Sequence, residues 1–147
     1  MRIYCDTSFL LSLYFDRDTR HPAAAREASR FTEGIPYTHL AELELTNSLR
    51  RLRVADTLDG GEFTAILSLL ERDVRDGLLE RKALRQAAHY QTAMEISARR
   101  MELSSRSLDI LHVAAATVLD APSFASFDGR QRELAKAEGL HLLPAKI

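Results

Sequence analysis

Four acids, Asp6, Glu44, Asp109 and Asp128, are the residues of this 147-residue chain best suited to chemistry. Each has an everyday reading by itself. Asp6 could cap a helix, Glu44 could be a solvated helix residue, Asp109 a first-turn acid, and Asp128-Gly129 a turn dipeptide. Drawn together they would behave differently. Carboxylates packed side by side repel and raise one another's pKa, so such a cluster implies a bound cation. Hard oxygen ligands suit Mg²⁺ or Mn²⁺, which keep several waters and bind phosphate oxygens. Spacing by itself does not establish that the four meet.

The elements that would carry them can be read from pattern. Residues 2–6 (RIYCD) form a β-prone run ending on an acid, and Thr7 and Ser8 are placed to cap the apolar segment 9–15 that follows. His21-Pro22 opens a second helix, which Gly34 is placed to end, and residues 35–38 make a short strand. Leu40, Leu43, Leu45 and Leu49 mark an amphipathic helix running to about residue 53. Asp59-Gly60-Gly61 then breaks the chain before the periodic segment 63–74, and the two helices should pack as a hairpin. After a brief apolar run at Leu78-Leu79, helical patterning extends from about residue 82 to 100, and again from 107 to 119 with Ser107 as the candidate cap. Residues 124–127 read as a strand ending at Asp128-Gly129, 131–138 as a helix closed by Gly139, and 140–143 as a last strand.

Strands alternate with helices throughout, which predicts an α/β fold: a three-layer α/β/α sandwich around a mainly parallel sheet, with residues 1–147 as a single domain. In such a sheet the active crevice lies beyond the carboxyl ends of the strands, where Asp6 and Asp128 both fall. Asp109, in the first turn of its helix, would face the same rim and be favoured by the helix dipole. Glu44 shares a helix side with Asn47, three positions on.

Composition sets the limits. The chain is 46% hydrophobic and 28% charged with a net charge of −1, so its bulk charge does not announce a nucleic-acid binder, and any RNA contact must be a local patch. Cys5 is the only cysteine, which excludes an internal disulfide and a thiolate zinc site. It reads as a small buried hydrophobe in a reducing cytosol. No run of residues approaches the roughly 18 to 20 apolar positions of a membrane helix, and a cytoplasmic location is the expectation.

Four blocks, YCDTSFLL (4–11), ELTNSL (44–49), SLDILHVAAA (107–116) and FASFDGRQRELAKAEG (124–139), make the chain resemble the PIN domains, and among them the VapC-type toxins of toxin–antitoxin pairs. The last two blocks are the most specific. The resemblance implies a compact α/β/α fold, a divalent metal site, endonucleolytic cleavage of RNA to a 5′-phosphate and a 3′-hydroxyl, and a cognate antitoxin that blocks the site. It assigns catalytic and metal-binding roles to Asp6, Glu44, Asp109 and Asp128. Glu42 rivals Glu44, but a helix turns the two in different directions and the E-L-x-N pattern fits only Glu44. Some relatives carry a further acid shortly after the fourth, whereas Gly129 and Arg130 follow Asp128. One tightly held Mg²⁺ is therefore expected, with a second site weak or completed by substrate.

Supporting roles fall to Ser8 and Ser126 beside the strand-end acids, and to Asn47 behind Glu44 or the loop after the first strand. His112, one turn after Asp109, reads as a hydrogen-bonded structural histidine more readily than as a ligand. Arg106 and Arg130 are the candidate contacts for RNA phosphates or the antitoxin. Small domains of this kind resemble proteins that pair as homodimers, and the leucines of the 44–74 hairpin could serve a twin, an antitoxin helix or the core. Two other readings stay open. Asp6 could be the nucleophile of a phosphatase, although a second acid two places on would be usual and Ser8 stands there. A non-catalytic module binding RNA or a partner is the other.

Overall fold

A computed structural model describes residues 2–147. Its strand β1 (Ile3–Cys5) alternates in the manner that separates two cores, with Tyr4 buried on one face and Cys5 on the other. Helices α1 (Thr7–Tyr14), α2 (His21–Ala28), α3 (His39–Val54) and α4 (Gly60–Arg75) pack around the Cys5 face with strands β2 (Ile35–Thr38) and β3 (Leu79–Lys82). Helices α5 (Gln86–Arg99), α6 (Ser107–Val118) and α7 (Gly129–Ala137) cover Tyr4 together with Phe124 of β4 (Ser123–Ala125). The last strand is β5 (His141–Leu143). This is the expected α/β/α sandwich.

Every strand pairing is parallel. β4 lies between β1 and β5, with Tyr4 opposite Phe124 and Phe124 opposite Leu142, while β2 and β3 form a separate two-stranded sheet with Thr38 opposite Lys82. β2 runs close beside β1, so the two ladders form one continuous layer. The ladder of the larger sheet continues past the strands: the Asp6 amide donates to the Ala125 carbonyl at 3.0 Å and the Ser126 amide to Leu143 at 3.0 Å. That registration fixes Asp6 and Ser126 as neighbours.

Several local features narrow the sequence reading or differ from it. Of the three caps the sequence offered for α1, Asp6 serves, its carboxylate accepting from the Phe9 amide at 2.9 Å, while Thr7 and Ser8 lie inside the helix. Helix α2 stops at Ala28, well before Gly34. Gly34 instead marks a close backbone approach, since a Cβ there would stand 2.5 Å from the Gly77 carbonyl oxygen. The polar residues 80–82 extend β3 where a helix start was expected, because β2 supplies the ladder they pair with. Helix α4 starts at Gly60, ahead of the expected position, because Asp59 and Glu62 close a reciprocal capping box with bonds of 2.8 and 2.9 Å. Ser107 is the first residue of α6, and Arg106 precedes it as the cap position.

The leucines of the α3–α4 pair divide. Leu45, Leu49 and Leu70 are core residues, whereas Leu43 is 66% exposed. Cys5 is fully buried, as a small hydrophobe would be. Among the described residues no helix is long and apolar enough to cross a membrane.

Candidate active site

At the carboxyl ends of β1 and β4 the chain turns directly into helices. Asp6 and Asp128 are the N-cap residues of α1 and α7, and Asp109 occupies the third position of α6. Three helix N-termini therefore carry three of the predicted acids. The positive end of each helix dipole favours a carboxylate there, which is why the fold tolerates them so close to its core.

Asp6 is the deepest. It is fully buried, and both its oxygens are engaged: Oδ1 accepts from Ser8 Oγ at 2.7 Å and from the Phe9 amide, and Oδ2 from Ser126 Oγ at 2.6 Å. Burial raises its pKa above the ordinary aspartate value even though His112 and these donors favour the anion. Ser126 does double duty, since its oxygen also accepts from the Asp128 amide at 2.9 Å. The two serines thus hold Asp6 and the backbone leading to Asp128 in one network.

Asp109 and Asp128 are joined by a cation. The Arg106 guanidinium donates to Asp109 Oδ2 at 3.2 Å and Oδ1 at 3.3 Å, and its Nη2 lies 3.7 Å from Asp128 Oδ2. Asp109 also accepts from the Arg106 backbone amide at 2.9 Å, the reach-back half of a capping box. Asp128 Oδ1 meanwhile caps α7 through the Arg130 and Gln131 amides at 2.9 and 3.0 Å. Among the described residues its Oδ2 is left with Arg106 alone.

Glu44 approaches from α3, and the field of Asp109 reaches it. Its Oε2 takes the Thr7 hydroxyl at 3.0 Å and a very short contact from His112 Nε2, while Oε1 has no hydrogen bond among the described residues. Half-burial opposes the charged form, but His112 and Thr7 outweigh it, and the carboxyl sits below its usual range. Glu42, the rival on the same helix, points elsewhere and pairs with Arg81 at 2.8 Å. Asn47 is exposed and makes no hydrogen bond to Glu44. Arg130 is exposed and offers its guanidinium to solvent.

Two residues had no visible signal as site components. Arg132 is buried and clamps the carbonyls of Ser126 and Pro144, each at 2.9 Å, and of Leu143 at 3.3 Å. Tyr4 donates or accepts a 2.8 Å hydrogen bond with His112 Nδ1 inside the core. Neither partner set could be inferred from spacing, since both join residues from separate elements.

Among the described residues, no three side chains of the His, Cys, Asp and Glu types close around one point as a ready cation cage. The donor chemistry nevertheless fits a hard divalent ion. The site's anionic groups are all carboxylates, Glu44 Oε1 is unengaged, and the cation now spanning Asp109 and Asp128 is the exposed Arg106 side chain, which can leave without opening the core.

The PIN domain family model matches residues 3–137, and the chain belongs to that family. Among solved structures it is similar to VapC20 of Mycobacterium tuberculosis, described as a Sarcin-Ricin loop cleaving toxin, with a TM-score of 0.69 and 20% identity over 94% of this chain and 95% of that one. No curated protein matches the sequence.

Proposed function

We propose that the protein is a Mg²⁺-dependent endoribonuclease, with Mn²⁺ as a substitute ion, and that it acts as the toxin of a toxin–antitoxin pair. The observation that carries this reading is the convergence of Asp109 and Asp128 on one guanidinium, with Glu44 in the field of Asp109 and Asp6 fixed behind them by Ser8 and Ser126. Family membership and the likeness to VapC20 support it.

Asp6, Glu44, Asp109 and Asp128 are the residues that would hold the ion. Bound there, Mg²⁺ would supply Lewis-acid polarisation of a phosphate oxygen and a lowered pKa for water. The chain's own residues supply the rest. Whichever of Glu44 and Asp128 leaves its free oxygen, Oε1 or Oδ2, off the ion is suited to accept the proton of the attacking water. Arg106 and Arg130, both exposed at the rim, are suited to phosphate oxygens or to an antitoxin's acidic groups. The products would be a 5′-phosphate and a 3′-hydroxyl. A cytoplasmic homodimer held inactive by its antitoxin completes the proposal.

The phosphatase reading loses ground. The second acid such an enzyme would place two positions on is replaced by Ser8, whose hydroxyl donates to the Asp6 carboxylate. Incubating purified protein with RNA, including one containing a Sarcin-Ricin loop, in Mg²⁺, Mn²⁺ or EDTA tests the proposal. Metal-dependent scission lost in Asp6→Asn and Asp109→Asn supports it. Absence of cleavage in either metal, or cleavage unaltered in both variants, would overturn it.

A further inference from the structure

Helix α6 places His112 at the centre of the molecule, fully buried, with one ring nitrogen on each side of a polar chain. Nε2 contacts Glu44 Oε2, and Nδ1 lies 2.8 Å from the Tyr4 hydroxyl, which is itself fully buried and also interacts with the Thr38 hydroxyl. Thr38 is the N-cap of α3 and accepts from the Ala41 amide at 3.2 Å. The chain of contacts therefore leaves the N-cap of α3, crosses β1 and α6, and returns to α3 at Glu44, fewer than two turns further along.

Hydrogen accounting gives this chain a direction. An ionised carboxylate only accepts, so Nε2 must carry the hydrogen. A neutral ring then presents a lone pair at Nδ1, and the Tyr4 hydroxyl is the donor that meets it. A fully buried phenol whose hydrogen found no acceptor would leave the core at a cost, which the Tyr4–Nδ1 bond avoids. Tyr4 and Phe124 stack at 5.7 Å and hold the phenol in place.

Building on the nuclease reading, we propose that His112 is a positioning residue for Glu44: its Nε2–H pins Oε2, Tyr4 selects that tautomer, and Oε1 is left as the oxygen offered to a divalent cation. Thr7 shares the task at the same oxygen, donating at 3.0 Å. His112 does not touch substrate or cation in this arrangement. Its effect is to take rotational freedom from a long side chain that reaches the site from a separate helix.

Two measurements test this without relying on RNA cleavage. Long-range ¹H–¹⁵N correlation spectra of the metal-free protein report the tautomer of each of the 5 histidines, with His112→Gln identifying the signal. A ring carrying a hydrogen at Nε2 is expected. A ring protonated only at Nδ1 overturns the assignment. Calorimetric titration with Mn²⁺ then compares folded variants. His112→Leu, which has no donor, should bind about 10- to 100-fold more weakly, and His112→Gln, whose amide N–H can reach Oε2, should recover most of the loss. Equal Mn²⁺ affinity in wild type and His112→Leu, or a glutamine variant no better than leucine, refutes the role. A wild type that shows the Nε2–H ring and the graded Mn²⁺ series yet cuts no RNA removes the nuclease reading and leaves this assignment standing.

Discussion

Ser126 donates a 2.6 Å hydrogen bond to Asp6 across 120 positions of sequence, and the same hydroxyl receives the Asp128 amide at 2.9 Å. One oxygen therefore couples the end of β1 to the start of α7. Replacing it with Ser126→Ala should lower the stability of the metal-free protein by about 1–3 kcal/mol, the scale for stranding a buried acceptor. It should also move the Asp6 titration further upward, because a donor that favours the anion is gone. Chemical denaturation and carboxyl ¹³C titration read these effects, and an unmoved Asp6 midpoint would contradict the coupling.

The buried Asp6 carries a pH signature whose sign follows from its raised pKa. The folded state holds that proton to higher pH than the unfolded chain, so the folded state loses relative stability as pH rises from the ordinary value of 3.8 through the folded pKa. At neutral pH the raised Asp6 pKa is a net cost to the metal-free fold. Asp6→Asn should therefore melt higher than wild type at neutral pH, with the gap closing below pH 3.8. Adding Mn²⁺ should raise the wild-type melting temperature and leave that of the variant unchanged. Scanning calorimetry across the acid range, with and without metal, checks both statements.

Arg106 neutralises Asp109 and Asp128 in the present arrangement. A divalent ion at those oxygens must compete with it. Arg106→Gln should bind Mn²⁺ several-fold more tightly, while RNA binding weakens and its logarithmic salt dependence becomes shallower by about 0.7, the value for one single-stranded phosphate contact. Isothermal titration with metal and anisotropy with RNA at several salt concentrations separate the two effects. Weaker Mn²⁺ binding in the variant would show that Arg106 assists the ion.

Arg132 should matter to stability alone. Its guanidinium spans three carbonyls at the ends of β4 and β5, from Ser126, Leu143 and Pro144. A lysine cannot reproduce that fork. Arg132→Met should cost about 2–3 kcal/mol, in line with lost hydrogen bonds to a charged group. Hydrogen exchange should locate the loosening at β5, and protection there equal to wild type would argue that the clamp is dispensable.

The sequence exposed the layer order and the strand-end placement of Asp6 and Asp128 because both depend on local periodicity and on turn chemistry. It left the α1 cap open, since Asp6, Thr7 and Ser8 can each cap a helix and only the ladder bond from Asp6 to Ala125 decides which one does. Residues 80–82 of β3 were illegible because an edge strand with polar side chains takes its order from its partner, here β2. Gly34 looked like a helix stop, yet its role is set by the Gly77 carbonyl more than forty residues away. The same limit applies within the site. Acids and the serines beside them can be picked out by type and place, but Tyr4 and the bridging reach of Arg106 acquire their meaning only through contacts between elements.

The N-cap positions of Asp6 and Asp128 have a practical consequence for anyone who needs an inert version of this protein. Each of these carboxylates is at once a ligand candidate and the keystone of a helix, so truncating it to alanine removes an architectural bond along with the chemistry. Asparagine keeps an oxygen for the helix amides while discarding the negative charge. A silent double exchange to asparagine is thus the natural bait for fishing out whatever binds the intact protein surface.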